Sequence, residues 1–235
     1  MAIKQILPGL HEIKLGPVNA FLIEGEDGLT MIDTGNKGRT GEIVEDLRSI
    51  GKKPADIKHI LLTHCHPDHA GSLADMKRLS GAPAYTHPIE AEMIATGDIK
   101  LTMTPSPGLL PRFLFWLFIK RASGVYDPAT IEHEIADGDE LPIAGGIRAI
   151  HVPGHCAGQL AFLWQRHGGV LFAADTSANM SGLGLSIGYD DLAEAKRSLA
   201  KMAAYDFEAT CFGHGKSITK GAAEMFRKKW GARKG

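Results

Sequence analysis

Within nine residues, Thr63-His64-Cys65-His66-Pro67-Asp68-His69-Ala70-Gly71, the chain carries three histidines, a cysteine and a carboxylate. An apolar-rich run, Ile57 to Leu62, leads into this cluster. Beyond it the spacing predicts an amphipathic helix over 68–79 that buries Leu73, Met76 and Leu79. A buried strand that delivers such a cluster to its carboxyl end, just ahead of a helix, leaves few folds open. Neutral imidazole and carboxylate together suit zinc, and also manganese or iron. A polar turn that happens to be rich in histidine is the alternative. The order His-x-His-x-Asp-His between strand and helix favours the metal site.

The rest of the chain alternates short strands with helices. Ala20–Ile23 and Leu29–Ile32 are short apolar runs around the hairpin turn Glu26-Asp27-Gly28. A helix is expected over 40–50 on Ile43, Val44, Leu47 and Ile50, with Gly51 at its end. Further strands are expected at 82–85, between 130 and 152, at 159–164, 169–174 and 209–212. Further helices are expected at 88–95, 190–204 and 222–230, with a frayed basic tail. Between Gly97 and Tyr126 the pattern breaks at Pro105, Pro107, Gly108 and Pro111, and reads as an insert over the body of the domain. No linker, repeat or low-complexity segment divides the 235 residues, so one domain of two strand-and-helix halves is expected over 1–235.

Four strand ends beyond the cluster carry a polar residue. They are Asp33 in Ile32-Asp33-Thr34-Gly35, His155 in Val152-Pro153-Gly154-His155, Asp175 after Leu171–Ala174, and His214 in Gly213-His214-Gly215. Singly, each has a bland reading as a turn or surface residue. Their order and context match the motif order of the metallo-β-lactamase-fold metallohydrolases, which the chain resembles from Asp33 to His214. The resemblance implies an α/β fold, a four-layered αββα sandwich of two mixed β-sheets. It also implies two zinc ions, with iron or manganese as alternatives. His64, His66 and His155 would bind the first ion, and Asp68, His69 and His214 the second. Asp175 would bridge both, and Asp33 would accept hydrogen bonds from behind the ligands. Two close dications need an anionic bridge, and a carboxylate with a hydroxide would serve. That hydroxide would attack a carbonyl, with Asp68 both ligating and orienting it. Cys65, Cys156 and Cys211 are read as packing residues.

The expected activity is hydrolysis of an ester, thioester or lactone. The bridging Asp175 resembles thioesterases of the glyoxalase II type and acyl-homoserine lactonases. Zinc β-lactamases, a further alternative, lack such a bridge. The lactonases often place a tyrosine soon after the bridging aspartate, where this chain has Thr176-Ser177-Ala178-Asn179. A second class also fits Thr-His-Cys-His-x-Asp-His: persulfide dioxygenases, with one iron on His64, His155 and Asp175.

Formal net charge is −1, which gives no global field for nucleic acid. Three scattered cysteines make no disulfide framework, and Met1-Ala2-Ile3-Lys4-Gln5 has no signal-peptide shape, so a cytoplasmic protein is expected. The apolar run Phe113–Ile119 is far shorter than the ~20 residues of a membrane span. Nine apolar residues in the eleven from Leu109 to Ile119 exceed what one buried helix face needs. The surplus needs a second partner, which is another subunit, a membrane surface or a lipophilic substrate. Position favours substrate or subunit, so the insert at about 105–126 is expected to be a lid over a small-molecule substrate, with Phe113, Phe115 and Trp116 as candidate contacts, or a homodimer surface. Ordinary core is the alternative.

Overall fold

The structure is a computed structural model and describes residues 3–120 and 122–231. The expected frayed tail, residues 232–235, lies outside this range. Four antiparallel strands open the chain: β1 (Ile3–Leu7), β2 (Leu10–Leu15), β3 (Val18–Glu24) and β4 (Leu29–Ile32). Helix α1 (Thr40–Ser49) then crosses to β5 (Ile57–Leu61), which lies parallel to β4. A short α2 (Pro67–Ala70) and α3 (Leu73–Ser80) lead to β6 (Ala84–Thr86), parallel to β5. Next come α4 (Pro88–Thr96), β7 (Thr104–Pro105), α5 (Leu109–Phe118) and β8 (His133–Glu134). The second half holds β9 (Glu140–Leu141), β10 (Ile147–His151), β11 (Leu160–Trp164), β12 (Val170–Phe172) and β13 (Gly188–Tyr189). It ends with α6 (Leu192–Ala203), β14 (Ala209–Cys211) and α7 (Ala222–Trp230).

One sheet has the order β1-β2-β3-β4-β5-β6-β8, and the other β14-β12-β11-β10-β9. Both mix parallel with antiparallel pairs. Side chains alternate across a strand, so each sheet has two apolar faces to cover. In β3, Ala20 and Leu22 face the helices, where they join Ile43, Leu47, Leu73 and Met76. Phe21 and Ile23 on the same strand face the other sheet and meet Leu160, Phe162 and Phe172. The Phe21 and Phe172 rings meet edge-on at 5.3 Å, a contact worth ~0.5–1.5 kcal/mol beyond area burial. On the far side, Ile150, Ala161 and Leu171 pack against Leu199, Met202 and Phe226 of α6 and α7. The result is four layers, helix–sheet–sheet–helix.

The expected helix over 68–79 is two helices. His69 and Ala70 donate to the His66 carbonyl in one short turn, and a new helix starts when Met76 N bonds the Ser72 carbonyl. In α3 the apolar stripe is centred between Leu73 and Met76, so Leu79 falls at its margin and is 39% exposed rather than buried. The insert is a closed excursion. Ile99 N bonds the Gly124 carbonyl and Tyr126 N the Gly97 carbonyl, both at 2.9 Å, which seals its neck. Its strand β7 pairs with β13. Most of α5 is exposed, so the reading of this segment as ordinary core does not hold. No helix among the described residues is long and apolar enough to cross a membrane.

Candidate metal centre

Strands β4, β5, β10, β12 and β14 end on one rim, and each is followed by a residue of the expected set. Two sheets feed this rim, so it must be stitched. Leu160 N bonds the Thr63 carbonyl at 2.8 Å, and Asn19 N bonds the Gly213 carbonyl at 2.8 Å. The buried Asn19 amide also donates to the Phe212 carbonyl.

The rim brings all seven expected ligands together in three overlapping groups. These are His64 with His66 and His155, His64 with His69 and Asp175, and Asp68 with His69 and His214; within each group the ligand atoms lie within 4.8 Å of one another. Asp175 reaches to both ends: its Oδ2 is 3.7 Å from His155 Nε2 and 3.1 Å from His214 Nε2, and its Oδ1 is 3.5 Å from His69 Nε2. Gly213 makes this convergence sterically feasible, because a Cβ there would lie 2.2 Å from Asp175 Oδ1 and 2.7 Å from the His69 ring.

Hydrogen bonds behind the rings decide which nitrogen faces the centre. A carbonyl can only accept, so His155 Nδ1 donates to Gly188 O and His214 Nδ1 donates to Pro17 O, both at 2.9 Å. His69 Nδ1 donates to Asp33 Oδ2 at 2.8 Å. Thr63 Oγ1 gives its proton to Asp33 and accepts from His64 Nδ1 at 2.9 Å. These four rings therefore turn Nε2 inward. His66 is turned the other way, with Nδ1 3.0 Å from His155 Nε2. Two ring nitrogens facing each other at that separation need a shared proton or a cation between them. His64 Nε2, His69 Nε2 and Asp175 Oδ1 are buried without a hydrogen-bond partner. Orphaned buried polar atoms of this kind are costly, and a borderline dication on an N/O donor set relieves them. The residues thus fit divalent metal ions.

The electrostatics divide the site. Burial and the neighbouring imidazoles push His64 well below its ordinary pKa, and burial takes His66 down to about 3. Burial opposes charging of His69 too, but Asp68, Asp33 and Asp175 outweigh it and raise it to about 9. His214 is likewise raised, by Asp175 and Asp68 against burial. Burial works against ionisation of both carboxylates, yet the histidines around them hold Asp68 and Asp175 well below the usual carboxylate range. The His64–His66–His155 end is buried, whereas the Asp68 and His214 side chains are 31% and 18% exposed and form the mouth.

Asp33 is buried, and its carboxylate accepts from Thr63 N, Thr63 Oγ1 and His69 Nδ1 at once. Its backbone is left-handed, with φ 57°, and Ala174 beside Asp175 has φ 48°. Such non-glycine residues cost ~1–3 kcal/mol each and gather at functional sites. Sequence reasoning missed four supports. Thr63 sets the His64 tautomer. Glu90, fully buried, accepts from Cys65 N and Gly158 N, both at 2.8 Å, and ties the two ligand loops together. Tyr126 donates to the Cys65 carbonyl at 2.7 Å. Gly188 supplies the carbonyl that orients His155. Of these only Thr63 had a signal, its place in the motif; Glu90 reads as an ordinary acid in the first turn of a helix.

The three cysteines are buried and free. Burial raises all three thiols far above their ordinary pKa, which disfavours thiolate ligands. Of the expected substrate contacts, Phe115 is buried and packs on Gly188, where a Cβ would meet its ring at 2.7 Å. Phe113 and Trp116 lie on the exposed side of α5.

The sequence profile described as Metallo-beta-lactamase superfamily matches residues 13–214. The Bacillus subtilis protein YobT is 32% identical over 183 residues, 73% of this chain and 67% of its own. The thioesterase pkgB of Emericella nidulans is 27% identical over 210 residues, 88% of this chain but 48% of its own; the chain spans about half the length of that relative. A metallo-beta-lactamase of Cronobacter sakazakii with substitutions in its HARLDQ motif superposes with a TM-score of 0.72 at 23% identity, covering 91% of this chain and 80% of that one. At that identity the likeness concerns the fold.

Proposed function

Because the chain belongs to the metallo-beta-lactamase superfamily, we propose that it is a dinuclear metal-dependent hydrolase of an ester, thioester or lactone with a lipophilic acyl group. The observation that carries this reading is the continuity of the three ligand groups through His64, His69 and Asp175. His64, His66 and His155 would hold one ion, Asp68, His69 and His214 another, and Asp175 would touch both. Zinc suits the set best, with iron or manganese as the alternatives. When bound, such ions supply Lewis acidity and lower the pKa of water toward ~7.

The chain's own groups do the rest. Asp33 and Thr63 keep His69 and His64 in the tautomer that offers Nε2. Burial of the histidine end excludes water, so substrate enters past Asp68 and His214. Asp68 stays ionised there, and its carboxylate can accept and orient the proton of an incoming water. Support for the thioester class comes from the name of the related Emericella protein. A lipophilic acyl group would find room in a cavity of about 280 Å³ beside α5, whose lining includes Ile99, Leu101, Met103, Phe115, Ile119 and Lys120. Phe115 is therefore the favoured substrate contact, while Phe113 and Trp116 are not among the lining residues.

Metal analysis of protein purified without added metal, with a panel of thioesters, lactones, aryl esters and β-lactams, tests the proposal. About two ions per chain and turnover of one of the first three classes are expected. Full activity with one tightly bound iron, oxygen uptake and no hydrolysis would falsify it.

A further inference from the structure

Eleven large hydrophobic side chains are exposed among the described residues, and six of them lie on α5. Leu109 is 88% exposed, Leu110 62%, Phe113 57% and Phe118 52%. Leu109 and Phe113 share one helical row, i, i+4, with Leu110 and Leu117 beside it, and Lys120 follows just past the helix end. Phe115 points the opposite way and anchors the helix on Gly188. The β7–β13 pairing and the sealed neck hold the base of the insert. The apolar row is therefore presented outward by a fixed support.

The charge of this segment sets it apart. From Ile99 to Tyr126 the sequence has four basic residues, Lys100, Arg112, Lys120 and Arg121, and no acidic one. Without them the formal net charge of −1 becomes −5, so the basic excess is confined to the insert. Lys100, Arg112 and Lys120 are exposed, and among the described residues none of the three has an acidic partner.

We propose that α5 and its flanks form a docking face for an anionic lipid surface. Leu and Phe on an exposed helical face, rimmed by Arg and Lys, match the chemistry of helices that lie in the headgroup boundary. Basic side chains let their stems follow the apolar row while the charged ends reach lipid phosphates. A second copy fits less well, because a two-fold contact through α5 would bring two basic, acid-free segments together. The proposal is independent of which bond the metal site cleaves, and its test needs no turnover.

Co-sedimentation of the full chain with vesicles of phosphatidylcholine, alone or with added phosphatidylserine, is the experiment. Binding to the serine-containing vesicles is expected, with little to phosphatidylcholine alone. Lys100→Gln/Arg112→Gln should weaken that binding by about thirtyfold, and Leu109→Asp/Leu110→Asp should abolish it. All variants should keep the wild-type circular dichroism spectrum and Tm, which shows that they fold. The idea is overturned if wild type stays in the supernatant with both vesicles, or if it binds both equally. It is also overturned in favour of a second copy if sedimentation velocity finds a dimer that Leu109→Asp/Leu110→Asp disperses.

Discussion

At the scale of single residues, the centre depends on groups that never touch an ion. Asp33 binds Thr63 and His69 with one carboxylate, and so governs the tautomers of two neighbouring rings, His64 and His69, in the middle group. Asp33→Asn keeps the shape but removes the charge and one acceptor. Loss of such a supporting partner typically costs ~10–100-fold in metal affinity, which competition against a chromogenic chelator would measure. Unchanged affinity would reduce Asp33 to a turn residue. The cysteines point the other way. Cys65 and Cys156 lie beside ligands in sequence, but burial keeps their thiols protonated. Cys65→Ser and Cys156→Ser should therefore hold wild-type metal content by elemental analysis, and loss of an ion from either variant would reveal a thiolate ligand.

At the scale of elements, the strand ends that carry Asp33 and the candidate ligands were legible because each pairs an apolar run with an abrupt polar stop. Asp33, His64, His155, Asp175 and His214 all follow this rule, and the structure gathers them on one rim. The supports were not legible, because their partners are remote in sequence. Nothing near Glu90 announces a bond to Gly158, sixty-eight positions away. The break inside 68–79 escaped because the residues on both sides suit a helix while the backbone leaves helical geometry at Ser72 alone. The insert was legible as an excursion but not as an exposed one, since an apolar helix looks the same in sequence whether covered or bare. Its inner face carries a prediction. If the cavity beside Phe115 takes an acyl chain, kcat/KM should rise with chain length, by up to ~0.8 kcal/mol or about fourfold per buried methylene. Phe115→Ala should flatten that slope with metal content unchanged. A wild-type enzyme indifferent to chain length would remove the cavity from substrate binding.

For the molecule as a whole, the site is the seam between its halves. His64, His66, Asp68 and His69 follow strands of the first sheet, and His155, Asp175 and His214 follow strands of the second, so an ion held between these groups would tie the two sheets together. The pKa shifts give this coupling a sign. His69 is raised to about 9, above its unfolded value near 6.5. Its contribution to the metal-free fold is complete below pH ~6.5 and is lost as pH rises through about 9. His66, lowered to about 3, acts in the opposite sense: its contribution is complete above ~6.5 and is lost as pH falls toward 3. A cation must displace the proton that His69 keeps near neutrality, and His214 is raised in the same direction. Stabilisation by metal should therefore grow as pH climbs from about 6.5 to 9, where the retained protons leave unaided. Calorimetric Tm values for loaded and chelated protein across that range should diverge with pH, and Asp33→Asn, which weakens the hold on the His69 proton, should move the divergence to lower pH. A gap between loaded and chelated Tm that stays constant over the window would mean that the cation does not compete for His69, and that the Asp68–His69–His214 group is an ion pair holding the seam rather than a metal ligand set.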